Sequence, residues 1–286
     1  MQNRFFIIGA PKCGTTSLAR WLADHPQIYF SPIKEPHFYC TDLKFRNVCN
    51  KRAYDKLFAK APSSAVMLGE ASTWYLFSQE AIPNILRAHP NAKFIVMTRD
   101  PVEMAISLFF HNRNKLHEPE SDFEKAWKLQ EVRACDAKFT EKLKEPKFLQ
   151  YRTACALGSL LERLYSIVDL SQVLHLRLED MRENPLLQYQ RVLYFLCVDD
   201  DHRIDFPVYN EAQIYRSAAF QRILQYSARF SRKIGIYKSF GLKKLVSRKL
   251  ESKEINPEFR KYLENHFEPE RRKLQYLFDQ SVNNLS

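Results

Sequence analysis

Three runs of apolar residues stand out along the chain, and each ends in residues that are typical of a turn or a helix start. They are residues 4–9 (RFFIIG), 93–98 (KFIVMT) and 172–178 (QVLHLRL). Short runs with apolar residues at consecutive positions are typical of strands that are buried on both faces. Residues 15–24 and the stretch from Val102 onward have helical periodicity. Strands that alternate with long helical segments predict an α/β fold, in which helices flank a central parallel sheet.

No linker or internal repeat divides the chain, and we therefore predict a single domain over residues 1–286. Within it, residues at about 211–255 form a basic segment that has a helical pattern and lacks a clear strand. No stretch approaches the ~18 apolar residues that a membrane-spanning helix needs. The first strand begins a few residues after Met1 and leaves no room for a signal peptide. If Met1 is the native start, we expect a cytoplasmic protein; otherwise we expect the soluble catalytic domain of an anchored enzyme.

The composition is that of an ordinary globular protein, but its positive charge is concentrated in one segment. Of the 286 residues, 45% are hydrophobic and 27% are charged, which excludes a disordered or low-complexity chain. The six cysteines are scattered without a C-x-x-C pair, so neither a zinc site nor a disulfide framework is indicated. The net charge is +11, and residues 216–261 have thirteen basic side chains against three acidic ones. This segment indicates a negatively charged partner, and nucleic acid, membrane lipid, a phosphate cofactor and an acidic substrate all fit.

The turn between the first strand and the first helix has the composition of a phosphate-binding loop. Residues 9–17 (GAPKCGTTS) contain two of only six glycines in the chain. Glycine lets backbone N–H groups approach an anion, and a helix start adds unpaired donors and a positive dipole end. The spacing nearly matches G-x-x-x-x-G-K-[ST], but Thr15 follows Gly14 and the loop's only lysine is Lys12. A nucleotide kinase therefore remains an alternative, although it needs carboxylates for Mg²⁺, and Asp100 lies between an arginine and a proline.

A second anion-binding pattern follows the second predicted strand. Arg99 comes directly after that strand, and Ser107 lies eight residues farther along the predicted helix. Arginine can direct two donors to one phosphate group. Because eight residues make about two helical turns, the Ser107 hydroxyl returns to the same side of the helix. The two residues together predict a second phosphate contact.

These motifs resemble those of the sulfotransferases that use 3′-phosphoadenosine-5′-phosphosulfate (PAPS). The resemblance is to the bacterial carbohydrate-type branch, which is related to heparan sulfate N- and 3-O-sulfotransferases. Residues 11–16 (PKCGTT) resemble the 5′-phosphosulfate loop of that family, and residues 98–107 resemble its 3′-phosphate site. Residues 178–185 and 256–269 resemble two further recurrent segments. The resemblance implies a three-layer P-loop-type fold, PAPS as donor, 3′-phosphoadenosine-5′-phosphate (PAP) as product, and in-line transfer without a metal.

The resemblance also assigns roles to individual residues. Lys12 is expected to bind the donor and to stabilise the leaving phosphate, while Arg99 and Ser107 bind the 3′-phosphate. In related enzymes a basic loop near the C-terminus closes over the nucleotide, and Arg216 and Ser217, or Arg248 and Lys249, are candidates for that place. The loop residues expected to hold the 5′-phosphate are Cys13, Gly14, Thr15, Thr16 and Ser17.

The catalytic base is expected in residues 31–39 (SPIKEPHFY), after the first helix. This segment resembles the E-x-x-F-F segment of the heparan-type enzymes, whose glutamate is the base. The resemblance therefore implies that Glu35 is the base, with His37 as the second candidate. Sulfuryl transfer needs such a group because the acceptor's proton has to leave as the acceptor attacks.

Residues 69–75 (GEASTWY) match the segment in which the heparan-type enzymes read Glu-Lys-Thr-Pro, and they are expected to contact the acceptor. The lysine position of that motif holds Ala71, which argues against a highly sulfated polysaccharide. A sugar hydroxyl is the family expectation, whereas a small secondary metabolite or an amine acceptor stays open. The alternative in which the protein is not an enzyme treats residues 216–261 as a module that binds nucleic acid or an anionic membrane. Under the sulfotransferase interpretation we expect no nucleic-acid partner. The candidate acceptor residues are Glu70, Ser72, Trp74 and Tyr75.

Overall fold

A computed structural model describes residues 3–135, 141, 143, 145–209, 213–215, 247–249 and 255–283. Its centre is a five-stranded sheet in which every neighbouring pair of strands is parallel. The strand order across the sheet is β2-β3-β1-β4-β5. The prediction of an α/β fold around a parallel sheet is thereby confirmed. The strands of this sheet are Asn3–Gly9 (β1), Ile28–Phe30 (β2), Met67–Ala71 (β3), Lys93–Thr98 (β4) and Val173–Arg177 (β5).

Helices cover the sheet and leave its strands almost fully buried. In β1, the side chains from Phe5 to Ile8 are at most 1% exposed, which explains their continuous apolar run. Parallel strands need crossover connections, and the intervening segments supply the helices for them. The helices of the described residues are Thr15–Ala23 (α1), Lys51–Lys56 (α2), Ala81–Ala88 (α3), Pro101–Asn114 (α4), Phe123–Lys128 (α5), Gln130–Cys135 (α6), Tyr151–Ala154 (α7), Leu157–Ile167 (α8), Leu178–Glu183 (α9), Pro185–Leu196 (α10) and Pro257–Asn283 (α11).

The three strands that the apolar runs predict are present as β1, β4 and β5, but β2 and β3 carry no comparable run. Strand β2 has only three residues, and β3 contains Gly69 and the charged residue Glu70. Gly69 is needed there because a Cβ at this position would lie 2.3 Å from the ring of Phe5 on the neighbouring strand. Packing between strands therefore decides the composition of β3, and periodicity alone does not reveal it.

The basic segment differs from its helical prediction in the parts that the structure describes. Gln213–Tyr215 (β6) and Ser247–Lys249 (β7) form a two-stranded antiparallel sheet. Three-residue strands are too short to produce a detectable alternation, and their pairing joins positions far apart in the chain. The prediction of a segment without strands is therefore wrong at these two places, and the rest of residues 210–254 lies outside the described residues.

The C-terminal helix α11 packs against the body of the protein through α8 and α4. At the contact with α8, a Cβ on Gly158 would lie 2.7 Å from the carbonyl oxygen of Glu270. The Glu270 carboxylate accepts hydrogen bonds from the backbone N–H (2.8 Å) and the hydroxyl (2.6 Å) of Ser159. Within the described ranges, no helix combines the length and apolarity required to cross a bilayer.

Candidate functional site

The loop after β1 places an open helix N-terminus at the carboxyl edge of the sheet. The first residue of α1 is Thr15, and the residue before it, Gly14, has a φ of 84°. None of the described side chains caps this end, and the first turn contains no acidic residue. Thr15 and Thr16 lie inside the helix. The unpaired N–H groups and the positive end of the helix dipole are therefore free to bind an anion.

Lys12 lies inside this loop in the left-handed region, with a φ of 67°. Its ammonium group has no hydrogen-bond or ion-pair partner among the described residues. Burial, followed by the charge of Arg99, lowers the pKa of Lys12 to about 8. Two cations that remain together without a carboxylate between them are suited to a ligand with several negative charges.

The other loop residues differ in how much they offer to a ligand. Cys13 is fully buried, and burial raises the pKa of its thiol to about 12, so only its backbone is suited to an anion. The Ser17 hydroxyl accepts a hydrogen bond (3.0 Å) from the backbone N–H of Tyr209 and is thereby tied to the chain after α10. Thr15 is buried and Thr16 is half-buried at the start of the helix.

Arg99 follows β4 and reaches the loop from the neighbouring strand. Its Nη1 donates to the carbonyl oxygen of Lys12 at 3.3 Å, whereas its buried Nε has no partner among the described residues. The side chain is 12% exposed. Asp100 caps α4 by accepting from the N–H groups of Val102 and Glu103, both at 3.0 Å. Ser107 is buried on the same helix. Lys12, Arg99, Ser107 and the N-terminus of α1 are called the anion cradle below.

A second group of residues surrounds Glu35 near the end of β3. The Glu35 carboxylate accepts from Lys34 Nζ at 2.6 Å, and from the backbone N–H and the hydroxyl of Thr73 at 3.0–3.1 Å. Burial raises the pKa of this carboxyl, but the charges and hydrogen bonds of Lys34 and His37 outweigh burial and hold it well below its usual range. Glu35 is therefore ionised at neutral pH, and its side chain is 25% exposed.

His37 lies beneath Glu35 and is only 3% exposed. Its Nε2 is 3.0 Å from a Glu35 carboxylate oxygen, and its backbone N–H donates to Ser72 Oγ at 3.0 Å. The buried Nδ1 has no partner among the described residues. Glu35 and His37 both adopt positive φ angles, 63° and 52°, which are uncommon for residues other than glycine. Glu35, His37, Thr73, Ser72 and Glu70 are called the carboxylate cluster below.

The four residues predicted to contact the acceptor are all buried. Glu70 and Tyr75 are at most 1% exposed, and Glu70 accepts hydrogen bonds from Tyr54 and from Ser72 Oγ. These side chains have no surface for an acceptor, because the core needs them as partners for its buried polar groups. We therefore correct their role from acceptor contact to support of Ser72 and His37. Trp74 is 7% exposed and stacks on Phe148, with ring centroids 4.1 Å apart.

A family model described as a sulfotransferase domain matches residues 2–206. The chain belongs to the sulfotransferase family. Human carbohydrate sulfotransferase 15 is 33% identical over 244 residues, which cover 67% of this chain and 43% of that protein. The membrane-associated sulfotransferase kil1 of Dictyostelium discoideum is 31% identical over 131 residues, or 42% of this chain and 26% of that protein. The chain thus spans less than half the length of these curated relatives.

Solved sulfotransferase structures share the fold. A sulfotransferase from Alicyclobacillus acidocaldarius aligns with a TM-score of 0.63 and 26% identity, covering 84% of this chain and 98% of that chain. Mouse sulfotransferase SULT7A1, solved in complex with PAP, aligns with a TM-score of 0.54 over 96% of this chain and 89% of that chain. At 14% identity the second likeness shows the fold alone.

One polar residue of this sulfotransferase site escaped the sequence motifs. His111 lies one helical turn after Ser107 on α4, and its side chain has no hydrogen bond among the described residues. Burial, followed by the charges of Lys12 and Lys115, lowers the pKa of His111 to about 3, while the charge of Glu35 acts in the opposite direction. The imidazole is thus neutral and lies within electrostatic reach of both the anion cradle and the carboxylate cluster. His111 follows Ser107 by four residues, a spacing that places both on one face of a helix, and this spacing is the signal in the sequence that indicates His111.

Two further predictions concern the nucleotide-closing loop and the absence of a metal ion. Arg216 and Ser217, two of the candidates for a nucleotide-closing loop, lie outside the described residues. In the part of the chain that the structure covers, no group of three or more His, Cys, Asp or Glu side chains is placed to hold a metal ion.

Proposed function

We propose that this protein transfers a sulfuryl group from PAPS to a hydroxyl, or an amine, of a carbohydrate or a small secondary metabolite, with Glu35 as the general base. The observation that carries this proposal is the placement of an open anion cradle beside an ionised carboxylate at the carboxyl ends of adjacent strands. Ligands of parallel α/β sheets bind at this edge. Membership of the sulfotransferase family supports the reaction class.

The residues of the anion cradle fit a donor that carries several phosphate and sulfate oxygens. The N–H groups at the start of α1 and Lys12 would hold the 5′-phosphosulfate. Arg99, whose Nε has no partner in the described part of the chain, would hold the 3′-phosphate with Ser107. When bound, PAPS supplies a sulfuryl group attached to a phosphate that can leave. The PAP complex of the mouse sulfotransferase supports this donor class.

In the proposed reaction, proton removal and charge stabilisation fall on different residues. Glu35 accepts the proton of the acceptor hydroxyl while the acceptor oxygen forms its bond to sulfur. Lys12 stabilises the negative charge that remains on the phosphate oxygen when the old S–O bond breaks. His37 and Thr73 hold the Glu35 carboxylate in one orientation.

The names of the curated relatives favour a carbohydrate acceptor, and Ala71 keeps a small metabolite as the rival. Family membership argues against the nucleotide kinase and against a pure nucleic-acid or membrane module. We further propose that residues 1–286 act as one domain, since α11 packs on α8 beyond the part that the family model matches. A cytoplasmic location stays a sequence-based prediction.

Transfer of labelled sulfate from PAPS to a panel of sugars and small polar metabolites tests the proposal. We expect transfer by the native chain, loss of about two to three orders of magnitude in Lys12→Ala, and native rates in Lys60→Ala, which removes an exposed lysine. Magnesium- and ATP-dependent phosphate transfer without stabilisation by PAP would instead support the kinase. Salt-sensitive DNA or vesicle binding without PAP affinity would support the binding module.

A further inference from the structure

We infer that the C-terminal helix α11 completes the donor site, because Arg260 and Arg271 compete with Arg99 for the carboxylates of Glu103 and Asp100 and keep its guanidinium group available for a 3′-phosphate. This inference rests on the proposed function. It makes Arg260 and Arg271 positioning residues, which act on the nucleotide through Arg99.

Two ion pairs join α11 to the start of α4. Arg260 Nη2 donates to Glu103 Oε1 at 2.5 Å, and Arg271 Nε donates to Asp100 Oδ2 at 2.7 Å. All four side chains are about one third exposed, at 29–36%. Because these side chains are partly exposed, either ion pair can be removed by a substitution that leaves the hydrophobic core unchanged.

Arg99 forms a long ion pair with Glu103, whose Oε2 lies 3.7 Å from Arg99 Nη2 while its Oε1 is bound by Arg260. Asp100 follows Arg99 in sequence; its Oδ1 caps α4, and Arg271 binds its Oδ2. Without the two α11 arginines, Glu103 and the Oδ2 of Asp100 would lose the partners that compete with Arg99. An arginine that forms a direct ion pair with a carboxylate has fewer donors and less net charge to offer a phosphate. In the structure its only hydrogen bond among the described residues is the 3.3 Å contact to the Lys12 carbonyl.

The fold fixes α11 in the position that this role requires. The Glu270–Ser159 hydrogen bonds and the close approach at Gly158 anchor the helix beside Arg271. A cavity of about 290 Å³ lies between α11 and the ends of β4 and β5, and both Arg99 and Arg271 line it. The family model ends at residue 206, so this contribution comes from a part of the chain outside the matched domain.

The inference is tested by comparing the affinity for PAP with that for 5′-AMP, which lacks the 3′-phosphate. In Arg260→Ala and in Arg271→Ala we expect PAP affinity to fall about tenfold, while 5′-AMP affinity stays unchanged. Arg272→Ala is the matched control, since Arg272 lies on the same helix and, among the described residues, forms its ion pair with Glu268 at the surface. Equal losses for both nucleotides would overturn the inference, because they would indicate a merely structural role.

A second test removes the charge of the carboxylate that has lost its α11 partner and measures PAP affinity again. Glu103→Gln in the Arg260→Ala background, and Asp100→Asn in the Arg271→Ala background, should restore PAP affinity to within about threefold of native, because neither amide can neutralise Arg99. A double variant as weak as its parent would count against the inference.

The outcome for the native chain separates this inference from the proposed function. A native protein that binds neither PAP nor 5′-AMP would remove the donor assignment itself. A native protein that prefers PAP, with all α11 variants unchanged, would retain the donor assignment and overturn only the role of α11.

Discussion

The anion cradle and the carboxylate cluster lie at the same edge of one sheet but are built in opposite ways. In the cradle, Lys12 and the Nε of Arg99 lack partners among the described residues, and the start of α1 has no side-chain cap. In the cluster, Glu35 accepts hydrogen bonds from Lys34, Thr73 and His37. Positive groups that keep unused donors are suited to a charged ligand, whereas a carboxylate with several hydrogen bonds is held in one orientation for chemistry.

The two regions also differ in how they affect the stability of the folded protein. Burial and, after it, the charge of Arg99 lower the pKa of Lys12, so the cradle holds its lysine in an environment that disfavours the charged form. The cluster instead rests on buried hydrogen bonds that run from Glu70 through Ser72 to the backbone of His37. We expect ligands to stabilise the cradle and substitutions to disturb the cluster.

The largest expected effect is on turnover by the cluster. Glu35→Gln removes the proton acceptor while keeping the side-chain shape, so kcat should fall about 10²–10⁴-fold. PAP affinity should stay native, because the cradle is untouched. Steady-state sulfate transfer and calorimetric PAP titration check both statements. Native turnover in this variant would remove Glu35 from the role of base.

The pH dependence sharpens the assignment of Lys12. Its pKa of about 8 in the donor-free chain means that the ammonium form is lost as the pH rises through that value. We expect kcat/KM for PAPS to fall above pH 8, approaching about tenfold per pH unit. Lys12→Arg should remove this alkaline limb, because arginine stays protonated. If kcat/KM falls at the same alkaline pH in the arginine variant, the fall is due to another titrating group.

A single methyl group should disturb the cradle without touching a charge. In Gly14→Ala, the φ of 84° becomes strained and the new Cβ would lie 2.7 Å from Leu178 Cδ1. We expect PAP affinity to fall about tenfold, since left-handed backbone costs about 1–2 kcal/mol for alanine. Adding Leu178→Ala relieves the contact but not the strain. If that double variant binds PAP like the native chain, the contact rather than the backbone is responsible.

The smallest expected effect tests orientation within the cluster. Thr73→Val keeps the backbone N–H to Glu35 but removes the hydroxyl contacts at 3.0 and 3.1 Å. We expect kcat to fall about threefold to tenfold, because the ionised carboxylate keeps its other donors and loses one hydroxyl, a net effect on the order of 1 kcal/mol. Thr73→Ser is the matched control and should stay near native turnover. The idea fails if valine and serine behave alike.

The sequence by itself determined the three apolar strands, the glycine loop and the Arg99–Ser107 step. These features are local, because a strand–loop–helix unit places its own backbone donors and an eight-residue step on a helix returns to one face. Lys12, Gly14 and Arg99 were therefore recognisable before any contact was known. The role of each still depends on the experiments above.

Only the tertiary structure decided which groups have partners. Glu70 and Tyr75 look like pocket residues in sequence but are buried, because β3 carries them into the core. His111 becomes neutral through burial and through the charge of Lys12, which lies on a distant segment. Arg271 reaches Asp100 across 171 residues of chain. Such contacts arise between distant segments, and a pattern along the chain does not encode which of them close in space.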